Sequence, residues 1–212
     1  MSDLIEQAQR AFCEITHDSG NGKTWTSKGI FIAPDEILTA AHPLRNSNAF
    51  QFVQANMDSG QLREADQKLK ARFGLDVAII KLAEPVTDDW VAPAGKKSMF
   101  FSGQRLLITG ISEDSPIKTL KKDKVATRQI PESFKRAFEV VQGSAGELEA
   151  FRTSVIEDSD AAVGAPIINS KGQVTSILIN AKTISAGQES LIVVPEQNAL
   201  ANFIEEPWPL QF

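Results

Sequence analysis

The stretch that decides the fold is residues 29–42, GIFIAPDEILTAAH. Two apolar runs, Gly29–Ala33 and Ile37–Ala41, flank a Pro-Asp pair that is typical of a tight turn. The pattern predicts two strands joined by this turn, with His42 directly after the second one. A histidine suits acid–base chemistry because its pKa lies near neutrality, so His42 is the first candidate for a functional residue.

Similar short apolar runs continue along the chain and predict further strands. They are Ala49–Gln54, Val77–Leu82, Arg105–Ile111, Phe138–Gln142, Leu148–Thr153, Pro166–Asn169, Gln173–Asn180 and Ser190–Val194. Many short strands at close spacing are typical of an all-β sandwich or barrel. Helical spacing of apolar residues predicts one short helix over residues 3–12 and another from Pro195 to about Ile204.

Composition narrows the class of protein. Apolar residues make up 42% of the 212 residues and charged residues 23%, which is typical of a soluble folded domain. The net charge of −5 argues against broad nucleic-acid binding, and the apolar runs are too short to span a bilayer. Cys13 is the only cysteine and no basic, apolar leader is visible, so we expect a reducing, cytoplasmic location.

A second candidate lies at the start of an apolar strand. Asp76 opens the run DVAIIKL, 34 residues after His42. The two histidines and one cysteine are widely separated, so we expect no metal site. The sequence has no glycine-rich phosphate-binding loop before a helix, so we expect no nucleotide and no other cofactor. His17 lies in a polar, glycine-containing stretch and is predicted to be solvated. The apolar tail, residues 207–212, is predicted to dock on the body of the protein.

The His42 and Asp76 motifs together resemble those of the trypsin-like, chymotrypsin-fold serine peptidases, and their layout is similar to that of bacterial HtrA-type proteases. The resemblance covers about residues 22–205. It implies two β-barrels of the six-stranded type with an active-site cleft between them. It also implies that His42 acts as general base and acid, while Asp76 orients its imidazole.

The third motif of this family is incomplete. Gly164-Ala165-Pro166 matches the residues that follow the family's nucleophilic serine. By strict spacing the serine position holds Val163, and Ala162 precedes it. Neither side chain has a nucleophilic atom, so covalent catalysis from this position is excluded.

Three explanations fit this departure. A deletion has removed the nucleophile loop, which would make a natural pseudopeptidase. Alternatively, Ala162 is the nucleophile position after an engineered serine-to-alanine change. In the third explanation Ser159 is a displaced nucleophile. The family resemblance places the oxyanion-hole N–H groups around Asp160–Ala162, with Asp160 and Ala161 as the candidates.

The resemblance therefore predicts a single trypsin-like domain over residues 1–212, with lobes at 14–90 and 104–205 and a connection near 85–104. The expected function is that of a serine endopeptidase whose nucleophile is missing. The alternative is a pseudopeptidase that binds a peptide or protein without cutting it. In both cases the expected partner is a peptide or protein in the cleft, bound in part by strand addition at its edge.

Overall fold

The computed structural model of the chain consists mainly of β-strands, with one short helix near each end. It describes residues 2–18, 23–46, 49–54, 63–64, 68–95, 105–108, 117–119, 121–125, 148–154, 163–184 and 189–208. The predicted all-β fold with helices at both ends is confirmed. The predicted strand Phe138–Gln142 lies outside the described residues.

The helices are α1 (Ser2–Ala11) and α2 (Gln197–Glu205), and a 3₁₀ helix spans His42–Asn46. The strands are β1 (Phe12–Asp18), β2 (Thr24–Ala33), β3 (Glu36–Ala40), β4 (Ala49–Gln54), β5 (Arg63–Glu64), β6 (Lys68–Arg72), β7 (Val77–Lys81), β8 (Arg105–Ile108), β9 (Ile117–Thr119), β10 (Lys121–Val125), β11 (Leu148–Ser154), β12 (Pro166–Ile168), β13 (Val174–Ile177), β14 (Asn180–Ile184) and β15 (Glu189–Pro195).

The strands form three sheets. The first seven make one sheet in the order β5-β4-β1-β2-β3-β7-β6, and the others make two four-stranded sheets, β10-β11-β15-β14 and β13-β12-β8-β9. The paired strands run antiparallel. The lobe limits 14–90 and 104–205 stay predictions, although the seven-stranded sheet falls within residues 12–81 and the other two within 105–195.

The decisive hairpin forms as the sequence predicts. Strands β2 and β3 pair with Gly29 opposite Thr39 and Ile30 opposite Leu38, and their residues from 27 to 32 and 37 to 40 are buried. Because both faces of the hairpin are covered, the apolar side chains run almost without interruption instead of alternating with polar ones. β3 continues the sheet onto β7, with Ala40 opposite Val77, which brings the residues after β3 beside those before β7.

The connection between the sheets is bound to both of them. The N–H of Val91 donates to the Phe31 carbonyl, 2.9 Å away, and the N–H of Ala94 donates to Val174, 2.7 Å away. Pro93 forms an isolated bridge with Val174. These bonds fix the chain as it passes between the lobes. The predicted boundary near residues 85–104 extends beyond the described residues.

The described residues form three apolar cores. One belongs to the seven-stranded sheet and includes Ile15 and Phe31, and one belongs to the two four-stranded sheets and includes Ile167 and Ile192. The largest, which we call the middle core, joins residues from all three sheets, the connection and both helices. Its members include Ala8, Ile30, Val77, Val91, Ile177, Val193, Leu200 and Phe203. The three sheets therefore share one buried layer.

Neither α1 nor α2 has the length and apolar character of a membrane-spanning helix, and the same holds for every helix in the described residues.

Candidate active site

His42 lies where β3 ends and the 3₁₀ helix begins. Ala40 and Ala41 before it are fully buried, so only small side chains fit between the strand and the turn. The His42 side chain itself is 36% exposed. The backbone before His42 is thus packed in the core, while part of the imidazole is exposed to solvent.

Asp76 lies in the turn between β6 and β7, and its carboxylate side chain is only 1% exposed. Its backbone has a positive φ of 54°, a left-handed conformation that aspartate tolerates better than most residues. The turn is closed by N–H donation from Leu75 to Arg72 and from Asp76 to Phe73, both over 3.2 Å. This conformation aims the carboxylate at the residues that follow β3.

The carboxylate of Asp76 accepts three hydrogen bonds from the His42 turn. Oδ2 lies 2.7 Å from His42 Nδ1, and Oδ1 accepts the N–H groups of His42 at 2.7 Å and Ala41 at 3.1 Å. Because an ionised carboxylate only accepts, Nδ1 carries the proton in this contact. In the neutral imidazole the other ring nitrogen, Nε2, is then the proton acceptor, as a general base requires. The structure thus brings together the two residues that the motifs singled out.

The next candidate position, Val163, is bonded to β2 of the seven-stranded sheet. Its carbonyl accepts the Lys28 N–H at 2.8 Å, and its half-buried side chain packs against the middle core. The Gly164 N–H donates to Leu178 at 2.7 Å. These two bonds fix residue 163 between β2 and Leu178, which follows β13.

Gly164 requires the conformation that only glycine adopts freely. Its φ is 84°, and a Cβ at this position would lie 2.0 Å from the Lys28 carbonyl oxygen and 2.9 Å from Thr39 Oγ1. Thr39 is three residues before His42. The backbone at Val163–Gly164 therefore lies against the strand that leads to the histidine.

Ser159, Asp160, Ala161 and Ala162 lie outside the described residues. Their predicted roles, as displaced nucleophile, oxyanion-hole donors and substituted nucleophile position, stay predictions. In the described ranges no three His, Cys, Asp or Glu side chains are close enough to hold a metal ion.

The prediction for His17 is wrong. It lies in β1, is fully buried, and its Nε2 is 2.6 Å from Ser27 Oγ. Its ring stacks on Trp25 with the centroids 5.8 Å apart. Burial, and then the charge of His42, lower the pKa of His17 to about 4, so the buried imidazole is neutral at pH 7. Sequence reasoning missed it because its buried partners are on the neighbouring strand.

One strand edge near this site has no neighbouring strand among the described residues. β14 is the last strand of its sheet and pairs only with β15, Asn180 lying opposite Val193. β14 follows Leu178, the residue that binds Gly164. The edge strand is thus directly continuous with the segment that holds residue 163, and an open edge offers N–H and C=O groups to an added strand.

Comparison with known families supports the motifs. The family model described as the trypsin-like peptidase domain matches residues 27–177. A search of proteins with curated descriptions gave no match.

Several solved structures are similar in fold. The active form of the Rv3671c protease from M. tuberculosis is 15% identical over 98% of this chain and 86% of its own, with a TM-score of 0.65. The scabies mite inactivated protease paralogue S-I1 is 13% identical over 95% and 94% of the two chains, with a TM-score of 0.66. The HtrA-type protease AlgW, solved with a tripeptide, is 11% identical over 94% and 60%, with a TM-score of 0.61. At these identities the likeness shows the fold alone.

Proposed function

Since the chain belongs to the trypsin-like peptidase family, we propose that it is a pseudopeptidase, a member that binds peptides in the cleft between its lobes and does not hydrolyse them. The observation that carries the proposal is at Val163. The backbone there is bound to Lys28 and packed beside the strand that leads to His42, while the side chain is a half-buried isopropyl group. A valine in this place cannot attack a carbonyl.

The pair formed by His42 and Asp76 remains intact in this proposal. Without a nucleophile, the imidazole supplies a hydrogen-bonding group in the cleft instead of a general base. A bound peptide keeps what the backbone offers, because strand addition depends on main-chain N–H and C=O groups and not on a hydroxyl. The edge of β14 that has no partner strand among the described residues supports this mode of binding.

The first test measures chemistry. The unmodified chain is incubated with a fluorophosphonate probe and with casein as a general protein substrate, beside the variants Ala162→Ser and Val163→Ser. We expect no labelling and no hydrolysis by the unmodified chain, since loss of a triad nucleophile costs about a million-fold in turnover. Labelling of the unmodified chain at Ser159 would refute the proposal in favour of a displaced nucleophile.

The two serine variants separate loss of one residue from loss of a loop. If Ala162→Ser or Val163→Ser becomes labelled, and a second His42→Ala change abolishes the labelling, the chain is a peptidase inactivated at one position. If neither variant is labelled while both fold, more of the nucleophile loop than one residue has been lost. That result supports the proposed pseudopeptidase.

The second test measures binding. Peptides selected from a random phage-displayed library are added, and backbone hydrogen exchange is followed. We expect exchange to slow in β14 but not in β6, one of the two edge strands of the seven-stranded sheet, which serves as an internal control. Selection of no peptide, or protection confined to β6, would contradict binding at the cleft edge.

A further inference from the structure

The chain that follows α2 packs against the first lobe. Trp208 Nε1 donates to Glu36 Oε1 over 2.9 Å, and the half-buried indole packs on the middle core. Lys81 binds the same Glu36 oxygen at 2.9 Å and lies 5.7 Å from the Trp208 ring centroid. The predicted docking of the tail is confirmed at Trp208, while residues 209–212 are outside the described part. We call residues 204–208, the last two residues of α2 and the three that follow, the C-terminal latch.

A buried lysine of the first lobe caps the end of α2. Lys70 on β6 is 7% exposed and donates from Nζ to the carbonyls of Glu206 at 2.8 Å and Ile204 at 3.5 Å. Its ammonium lies 4.9 Å from the Phe203 ring centroid and 5.4 Å from that of Trp208. Burial lowers the pKa of Lys70, against the raising effect of nearby carboxylates. A cation at this position satisfies carbonyls that the helix end leaves free.

A second residue of β6 contacts the latch. The Arg72 guanidinium bonds the Glu206 carboxylate at 2.6 Å and lies 5.9 Å from the Phe203 ring centroid. Both partners of this ion pair are partly exposed, so it contributes little alone. Together with Lys70, however, it joins the latch to two alternate residues of one short strand.

β6 leads directly into the turn that carries Asp76. Within that turn Leu75 donates to the Arg72 carbonyl. On the other side, the Phe73 ring lies 5.2 Å from the guanidinium of Arg45, which belongs to the 3₁₀ helix that begins at His42. The turn is therefore held between the latch and the helix of His42.

From this arrangement we infer that the C-terminal latch is a positioning element for the site: docking of residues 204–208 on β6 keeps the Asp76 carboxylate on the His42 turn. Its residues touch neither a substrate nor the imidazole, and they act through Lys70, Arg72 and the turn. The turn needs such support because the backbone of Asp76 is left-handed, and a strained conformation persists only where surrounding contacts stabilise it. The inference concerns geometry and does not depend on whether the chain hydrolyses peptides.

The test uses the full chain with Glu206→Ala, Trp208→Ala, or both. The readouts are hydrogen exchange at the Ala41 and His42 amides, which donate to Asp76, and the strongly deshielded proton resonance of His42 Nδ1. At a temperature where all variants are folded, we expect the double variant to exchange these amides about tenfold faster and to lose the Nδ1 resonance.

The control is Arg10→Ala, which removes an exposed ion pair between α1 and Asp89. Like the Arg72 pair it is partly exposed, and it does not touch β6, so it reports what the loss of a comparable surface ion pair does to the same signals. The inference fails if the latch variants lower the melting temperature but change the Ala41 and His42 amides no more than Arg10→Ala does. If Trp208→Ala does not fold, Glu206→Gln is measured instead: it leaves the main-chain carbonyl that accepts from Lys70 and removes only the charge paired with Arg72. Exchange at Ala41 and His42 no faster than in Arg10→Ala would then overturn the inference.

Discussion

Acidification probes the buried His17 because folding changes its affinity for protons. The imidazole is fully buried, hydrogen-bonded to Ser27 and stacked on Trp25. Burial first, and the charge of His42 second, lower its pKa from 6.5 to about 4. In the unfolded chain the imidazole returns to water and regains its ordinary pKa.

The sign and size of the effect follow from linkage. Between about pH 6.5 and 4 the unfolded chain binds a proton at His17 that the folded chain does not. The contribution of His17 to the free energy of unfolding therefore falls as the pH is lowered through this window. Below the window His17 causes no further loss. The full contribution is about 3 kcal/mol, of which about 2 kcal/mol is lost by pH 5.

The assay is urea unfolding at about pH 7 and about pH 5, on the unmodified chain and on His17→Gln. Glutamine keeps a hydrogen-bonding group for Ser27 but does not titrate, so subtraction removes the carboxylates that also respond to acid. We expect the unmodified chain to lose about 2 kcal/mol more than the variant. His42→Gln serves as the control and keeps most of this loss, because burial is the larger of the two causes. Equal losses in the unmodified chain and His17→Gln would refute the burial argument.

Three further predictions concern the packing at Gly164, the reactivity of Cys13 and the helix cap at Glu196. Gly164→Ala should cost about 2–4 kcal/mol in urea unfolding, because its Cβ would meet the Lys28 carbonyl, whereas Gly95→Ala, with open space around it, should be neutral. Burial raises the pKa of the Cys13 thiol, so Ellman's reagent should react with it only after unfolding, and reductant should leave the melting temperature unchanged; fast reaction in the folded state would contradict this. Glu196 accepts two N–H groups at the start of α2, and Glu196→Ala should cost about 1 kcal/mol, an unchanged melting temperature being the contrary result.

The sequence predicts best what short stretches encode. The hairpin before His42 and the strand after Asp76 have continuous apolar runs, and each forms the strand that its pattern indicates. The pairing of these two residues also follows, because a family resemblance links two motifs that are 34 positions apart. The helix after Pro195 forms close to its expected limits, with Glu196 as its cap.

Contacts between distant segments are what the sequence does not reveal. His17 reads as solvated because its neighbours along the chain are polar, yet β2 brings Ser27 and Trp25 to its ring. Likewise nothing near Lys70 in the sequence indicates that the end of α2 lies above it. Burial of such residues depends on how strands and helices meet, and local periodicity carries no record of that.

The middle core has a consequence for how the chain is made. It needs Ala8 and Ala11 from α1 together with Leu200 and Phe203 from α2, at opposite ends of the sequence. The first strands leave the ribosome long before α2 is synthesised. The apolar face that carries Ile30 therefore stays exposed to solvent until Leu200 and Phe203 can pack on it. We therefore expect nascent chains that stop at Gly95 to bind a hydrophobic dye and chains that reach Trp208 to release it. The longer synthesis takes, the longer this apolar face can bind chaperones or aggregate.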